Sequence, residues 1–473
     1  MSTPFRHKPL ALALSGIAAA LVSMHAQGAA FALQENSASG LGNAYAGGAA
    51  SAEDASTVWF NPAGMTRLKQ REAVLALHLI KPSTEFNDGG SLPAFNQPLG
   101  GGGGDAGGLE FVPNTYIVVP INNQFTFGVG LNAPFGLTTE YDDGWAGRYL
   151  ALKSAVKTIN VQPSIAWQAT PQLSLGLGVN FQWVDAKLSS NVNYSAALAQ
   201  AAQTAAAGGQ IPANLVPTII AATPGLDSKV TVKGDDTAWG WNVGMIYEPQ
   251  PGTRFGAHYR SEIQYGVGGD VDFDNPALPT LPPALAPVVG ALATAVNAQL
   301  YDGSVRSDID LPAIANVSFF HRLTPQWDVM GDVQWTGWSS LPELRFVRTS
   351  GPAADSTLSV TPYNWDDTWR FSVGANYHMD SRWTFKGGLA WDESPIPEEF
   401  RTPRLPDENR LWLSGGAQFR YAPNMVFDVG LTYIFIDDPA MNDNAGSTTR
   451  NGLLRGSYDA NVWILSAGLT YRF

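Results

Sequence analysis

Between Gln172 and Trp183 the chain alternates without a break. Leu173, Leu175, Leu177, Val179, Phe181 and Trp183 fall on one parity, and Gln172, Ser174, Gly176, Gly178, Asn180 and Gln182 on the other. Strand side chains point to opposite faces at a period of two, so this segment reads as a strand with one greasy and one polar or tiny face. The pattern recurs at 425–435, where Met425, Phe427, Val429, Leu431, Tyr433 and Phe435 oppose Val426, Asp428, Gly430 and Thr432. At 382–391, Trp383, Phe385, Leu389 and Trp391 oppose Arg382, Thr384, Lys386 and Gly388. Aromatics gather at the ends of these runs, as girdles at two membrane interfaces require. A single run suits a soluble sandwich equally well; the repetition favours a transmembrane barrel.

The connections supply a strand count. Six are short and carry turn residues, at 120–124, 168–172, 248–253, 321–326, 378–382 and 421–424. Seven are long, at roughly 82–109, 137–154, 189–228, 270–303, 339–363, 393–408 and 438–455. They alternate strictly, which predicts an all-β fold: a 14-stranded antiparallel transmembrane β-barrel with short periplasmic turns and long extracellular loops. The last strand sets Trp463, Leu465, Ala467, Leu469, Tyr471 and Phe473 on one face. Residues 29–72 are rich in Ala, Gly and Ser and lack a membrane-strand pattern. A barrel of this size encloses more space than its own side chains fill. The segment is therefore expected to plug the lumen as an N-terminal hatch, leaving 73–473 as the barrel with its loops.

Composition adds the compartment. Arg6, His7 and Lys8 precede an apolar run and the small residues of AQGAA, so 1–28 reads as a secretory signal peptide, cleaved after Gly28 or Ala30. Losing Arg6 and Lys8 turns 28 basic and 41 acidic residues into 26 and 41, a net charge of −15 that offers nucleic acid no basic groove. Cysteine is absent, which removes disulfides, thiolate catalysis and thiolate metal sites. GGGDAG at 102–107 has dinucleotide-type glycine spacing but no βαβ context, the six histidines are scattered, and no Gly-x-Ser-x-Gly elbow occurs. The expectation is a protein without cofactor, metal or catalytic residues, an outer-membrane lipase being the remote alternative. It is expected to be a monomer in the outer membrane of a Gram-negative bacterium, surrounded by membrane lipid; a hydrophobic small molecule as its further partner is what the family resemblance given next implies.

FALQENSASGLGNAYAGGAASAEDASTVWFNPAGM, at 31–65, resembles the hatch of the FadL family of outer-membrane transporters for long-chain fatty acids and other hydrophobic compounds. VPINNQF, APFGLTTEY, YRSEI, NWDDTWRFSVG, WDESPIP and LPDENRLWLSGG extend the likeness along the mature chain. The resemblance implies that the bend at Asn61, Pro62 and Ala63 turns the hatch within the lumen, with Asn61 holding it closed; a turn made only for packing is the alternative. It implies an inward kink of the third strand at Asn132, Pro134, Phe135 and Gly136 that opens a lateral exit, the alternative being a strand that ends at Asn132. It also implies an apolar capture groove on the long loops, with Leu215, Ile219, Ala284 beside Leu285, Val288 and Leu292 as candidates, unless the two loops simply pack on each other. The function implied is uptake of long-chain fatty acids by loop capture, lumenal binding and lateral diffusion. Uptake of neutral aromatic or alkane hydrocarbons by the same route is the rival.

A fatty acid's carboxylate calls for Arg or Lys. Strand parity turns His258, Arg260, Arg370, Lys386, Arg410 and Arg420 toward the lumen, beside Glu262, Asp328, Asp332 and Asp428. Where the resemblance implies basic residues, just after the fifth strand and in the fifth long loop, the chain has Ser190 and Thr361, with Lys187 and Arg345 nearest. The candidate carboxylate contacts are thus Lys187, Arg345, Arg370, Lys386 and Arg410.

Overall fold

The computed structural model describes residues 30–443 and 450–473; the signal-peptide reading of 1–28 and part of the last long loop lie outside them. Among the described residues the barrel strands, apart from the short loop strands Glu343–Arg348, Thr357–Pro362 and Ala440–Asp443, are β1 Glu72–Asp88, β2 Glu110–Pro120, β3 Phe125–Asn132 resumed at Gly136–Glu140, β4 Lys153–Gln168, β5 Leu173–Asn193 and β6 Asp227–Gln250. β7 joins Thr253–Arg260 to Ile263–Asp274, and β8 joins Gly303–Leu311 to Ile314–Arg322. Then come β9 Trp327–Thr336, β10 Thr368–His378, β11 Trp383–Asp392, β12 Arg410–Ala422, β13 Met425–Ile436 and β14 Leu454–Arg472. Each pairs antiparallel with its neighbours in sequence, and β1 closes the ring on β14 from Glu72↔Arg472 to Asp88↔Gly456. Closure leaves no unpaired edge at that seam, the condition for a sheet to sit in lipid.

The tight turns follow from local side-chain chemistry. Asn122 Oδ1 accepts the backbone N–H of Gln124 at 2.8 Å and of Phe125 at 2.9 Å, and Asp380 Oδ1 accepts those of Arg382 and Trp383 at 2.7 and 2.8 Å. The Thr170 and Thr324 hydroxyls do the same in their turns. Such bonds replace ladder hydrogen bonds where the chain reverses. Leu177, Phe181, Val429, Leu431 and Trp463 are exposed on the outer face, while Ser174, Asn180, Gln182, Asp428 and Thr432 are buried inside. The barrel is thus inverted relative to a soluble protein, as the alternation predicts. Several strands outrun their predicted ends; β5 and β6 continue to Asn193 and from Asp227, beyond the level where their outer faces stop being apolar.

Residues 30–68 thread the lumen as three one-turn helices, α1 Ala38–Leu41, α2 Gly48–Ser51 and α3 Thr57–Phe60, and a 3-10 turn Pro62–Arg67. Polar bonds tie this segment to strands around the ring: Asn114 Nδ2 to Glu35 O at 2.6 Å, Gln162 Nε2 to Val58 O at 2.6 Å, Arg260 Nη2 to Trp59 O at 3.0 Å and Ser318 Oγ from Ala49 N at 3.0 Å. The wall is thinned to receive it. A Cβ at Gly244 would sit 1.9 Å from Asn61 Oδ1, and one at Gly256 would sit 2.0 Å from Ala49 O, so only glycine permits the approach. In the loops, α4 Tyr194–Ala207, α5 Leu215–Ala222 and α6 Ala286–Asn297 pack together outside the barrel mouth.

Candidate functional site

Beyond the hatch, on the long-loop side, the inner faces of β5 to β8 turn apolar. Val184, Val267 and Leu311 from the wall, Phe346 from the fifth long loop, Leu405 from the sixth and Phe31 from the hatch line an apolar cavity. Its lining is almost wholly apolar, the character expected of a site for a hydrophobic ligand. The Phe31 ring lies 5.0 Å from Trp338, 6.0 Å from Trp365 and 5.8 Å from Phe135, centroid to centroid. One hatch side chain therefore touches both the cavity wall and the third strand. On the short-turn side of the hatch a second, more open cavity is lined by charged groups including Glu53, Arg67, Glu72, Arg254, Lys386 and Arg472.

At the third strand the ladder to β4 stops at Asn132↔Asn160 and resumes at Gly136↔Lys157. Three residues, 133–135, oppose two, Thr158 and Ile159, which makes a bulge where Pro134 has no N–H to give. Pairing of β2 with β3 ends at Thr115↔Leu131, while β2 stays paired to β1 as far as Glu110↔Ile80. Residues 110–114 and Gly136–Glu140 thus face each other without rungs, and the wall has a gap. The strand does end at Asn132, as one reading of the sequence had it, but it restarts beyond the bulge. The hatch covers the restart: Leu33 N donates to Pro134 O at 2.8 Å, Gly136 N donates to Phe31 O at 2.9 Å, and Ala32 bridges Phe135. Asn132 Nδ2 donates to Asn36 Oδ1 at 2.7 Å, so the kink and the hatch are held as one unit.

The Asn-Pro-Ala bend is a second fastening. Asn61 Nδ2 donates to Ala49 O at 2.7 Å, Met245 O at 2.9 Å and Ala257 O at 3.3 Å, and its Oδ1 accepts Ala63 N at 3.1 Å. Pro62 opens the 3-10 turn, where its missing N–H costs nothing. One amide therefore joins two parts of the hatch to the backbone of β6 and β7.

The five sequence candidates for a carboxylate contact all lie away from the apolar cavity. Lys386 Nζ donates to Glu53 Oε2 and Ser39 Oγ, both at 2.6 Å, Arg370 Nη2 donates to Ala44 O at 2.9 Å, and Arg410 pairs with Asp407, which also accepts Ala30 N at 2.9 Å. These three bind the hatch or an acid beside it. Lys187 and Arg345 are turned outward: the alternation that exposes Phe181 carries Lys187 to the same face, and Arg345 is spent on Glu343 at 2.6 Å. Ala186, Leu188, Leu344 and Phe346 take the inward positions instead. Glu262 also departs from its expected lumenal place. The ladder breaks between Arg260 and Ile263, parity flips, and Glu262 accepts a bond from exposed Gln264 at 2.8 Å. Of the groove candidates, Ile219, Leu285 and Leu292 are buried between α4, α5 and α6, Leu215 and Val288 sit half-buried at the rim of that cluster, and Ala284 is exposed. The loops do pack on each other. Phe31, Trp338, Trp365 and Arg404, which line or border the cavity, escaped sequence reasoning because they come from four segments that meet only in the fold.

Three hatch carboxylates bear on how closure responds to pH; Asp54 is raised by burial, against hydrogen bonds from Ser56, and so acts in the same sense as Glu35. Burial pushes Glu35 up to about 7, with its own backbone N–H, Arg370 and Arg410 opposing and Asp392 adding to the rise. The docked hatch keeps a proton that the undocked segment releases above its ordinary value of 4.5, so docking weakens as pH rises from 4.5 through 7. At Glu53 burial acts upward, but the charge of Lys386 and hydrogen bonds from Lys386, Ser39 and Asn376 outweigh it and hold the carboxyl below the usual range. That contribution is lost only as pH falls below the ordinary carboxylate value. Opening events in planar bilayers should become more frequent from about pH 5 to about pH 8, and Glu35→Gln should make this limb shallower, leaving the part that Asp54 contributes. An unchanged slope in the variant would remove Glu35 from the account.

A lipid-facing barrel stoppered by its own N-terminal segment, with an apolar cavity beside a gap in its wall, defines an outer-membrane transporter of hydrophobic compounds. Residues 19–473 match the outer membrane protein transport protein family (OMPP1/FadL/TodX), and the chain belongs to it. It is 30% identical over 461 residues to the long-chain fatty acid transport protein of Escherichia coli O6:H1, covering 97% of each chain. It is 34% identical over 419 residues to the 47 kDa outer membrane protein of Pasteurella multocida, covering 88% of this chain and 90% of that one. Among solved structures, a Pseudomonas aeruginosa FadL homologue superposes with a TM-score of 0.80 at 24% identity, over 94% of this chain and 100% of that one. The Ralstonia pickettii toluene transporter TbuX superposes with a TM-score of 0.58 at 21% identity, over 89% and 94% of the two chains. Both structures speak for the fold alone. Members of the family are transporters, so the lipase alternative is set aside.

Proposed function

We propose that this protein takes up long-chain fatty acids across the outer membrane and releases them sideways through the gap between β2 and β3. The observation that carries the reading is the position of Phe31, whose ring packs against cavity and kink while its backbone closes the kink. An aliphatic chain first meets the half-buried apolar rim at Leu215 and Val288 and then enters the cavity. Burial there is worth about 25 cal/mol per Å² of apolar surface. That energy competes with the Phe31 contacts, each worth about 0.5–1.5 kcal/mol beyond area. Once Phe31 gives way, the bonds at residues 31–33 follow and the gap is uncovered. The sequence carries no nucleotide-binding or other energy-coupling motif, so transport runs down a gradient.

Neutral hydrocarbons are the second reading, favoured by the absence of all five sequence candidates from the cavity lining. The two separate in a strain lacking its own transporter and expressing this chain: radiolabelled oleate should be taken up and toluene should enter no faster than in the empty strain. Toluene uptake without oleate uptake would reverse the assignment.

A further inference from the structure

Three cations line the apolar cavity, Lys233, Arg306 and Arg404, and Arg404 is the half-buried one without an acid. Arg404 lies in the sixth long loop, in Arg401-Thr402-Pro403-Arg404, and lines the cavity beside Leu405 and Phe346. Its Nη1 donates to three neutral oxygens, Ser154 Oγ at 3.2 Å, Lys153 O at 3.3 Å and Ser189 O at 3.4 Å. Among the described residues its Nε and Nη2 make no hydrogen bond and no carboxylate comes within ion-pair distance. The neighbouring arginines differ: Arg401 of the loop is paired with Glu408, and Arg410 at the start of β12 with Asp407. The remaining cations at the cavity margin differ too. Lys233 is engaged with Asp272 at 3.2 Å, and Arg306 is an exposed side chain. The nearby acid Glu140 is held by Lys153 at 2.6 Å.

We propose that Arg404 is the head-group anchor of the apolar cavity, selecting a long aliphatic chain that ends in a single carboxylate. The assignment rests on the cavity being the ligand site, as in the proposed function, and adds the residue that reads the acid. A charged group kept in apolar surroundings without a counter-charge is costly unless a partner arrives. Burial already lowers the Arg404 pKa, with Tyr363 and Tyr141 partly offsetting the effect. A guanidinium offers a planar fork of donors that meets a carboxylate through two parallel bonds, so the unengaged Nε and Nη2 suit that geometry. The backbone around it is fixed: Thr139 Oγ1 donates to Arg404 O at 3.0 Å, and Tyr141 Oη donates to Pro403 O at 2.7 Å. Thr139 belongs to the resumed part of β3, so the anchor hangs on the strand that carries the kink. A head group bound here leaves the aliphatic tail to run past Leu405 and Phe31 toward Phe135.

The test compares oleate with oleyl alcohol, which keeps the chain and removes the charge, on the full-length protein reconstituted in lipid nanodiscs. The wild type should bind oleate more tightly than the alcohol. Arg404→Met should lose about ten- to hundredfold of its oleate affinity, the range of a charged hydrogen-bonded contact, and leave the alcohol unchanged. Arg404→Lys should recover part of the preference. Equal oleate binding by Arg404→Met and wild type overturns the anchor while leaving the cavity in place. An equal loss for acid and alcohol also overturns it, since it would mean packing. A wild type that binds neither ligand overturns the cavity itself. Should the Met variant fail to show the heat-dependent gel shift of an assembled barrel, Arg404→Gln replaces it with the same expectations.

Discussion

Deleting residues 30–67 should turn a closed barrel into one that conducts ions steadily across a planar bilayer. The barrel does not need the segment to close, because β1 and β14 stay paired over the whole seam and every neighbouring pair is joined by its own ladder. The inner wall left behind is polar, with Asn180, Gln182, Asp428 and Thr432 pointing inward, so water fills it readily. What closes the lumen is the hatch and its bonds to the wall. Asn61→Ala should give a partial version of the same effect, since it removes three donated bonds from one side chain yet leaves Lys386 on Glu53 and Arg370 on Ala44. A deletion variant that shows the gel shift of an assembled barrel but stays electrically closed would mean that the long loops seal the pore.

Much of this architecture is legible from period alone. A strand that faces lipid must alternate, and it is the recurrence of that pattern, at Leu173 to Trp183 and again at Met425 to Phe435, that favours a barrel over a soluble sandwich. Turns such as 120–124 and 378–382 announce themselves through Asn122 and Asp380, whose side chains build the reversal locally. The kink was visible as Pro134 and Gly136 interrupting a clean strand, although the resumption at Gly136–Glu140 was not. Parity failed where the ladder slips. The breaks before Ile263 and before Ile314 flip the facing of everything beyond them, and Glu262 was misplaced for that reason. The cavity was illegible altogether, because Phe31, Trp338, Phe346 and Arg404 are brought together by closure of the ring and no local pattern connects them. The carboxylate candidates lie outside the cavity for the same reason: Lys386 and Arg370 bond the hatch, Arg410 pairs with Asp407, and Lys187 and Arg345 face outward.

Fastening the hatch to the kink should stop transport without stopping binding. The gap between β2 and β3 is covered by residues 31–33, which lie along the kink through one antiparallel bridge, Ala32 to Phe135, and two flanking backbone bonds. Ligand leaving sideways has to part them, whereas ligand leaving through the periplasmic mouth does not. The chain contains no cysteine, so a single introduced pair can form only one intramolecular bond. Ala32 and Phe135 are bridge partners, and such partners have Cα atoms about 4.5–5.5 Å apart, within the range a disulfide spans. The decisive measurement is oleate uptake by cells expressing the Ala32→Cys, Phe135→Cys variant, oxidised and then reduced, with each single substitution as control. Uptake at the level of cells lacking the protein when oxidised, restored by reductant, with oleate binding retained in both states, is the predicted result. Equal uptake in the two states, with the crosslink verified, would contradict lateral release past the hatch.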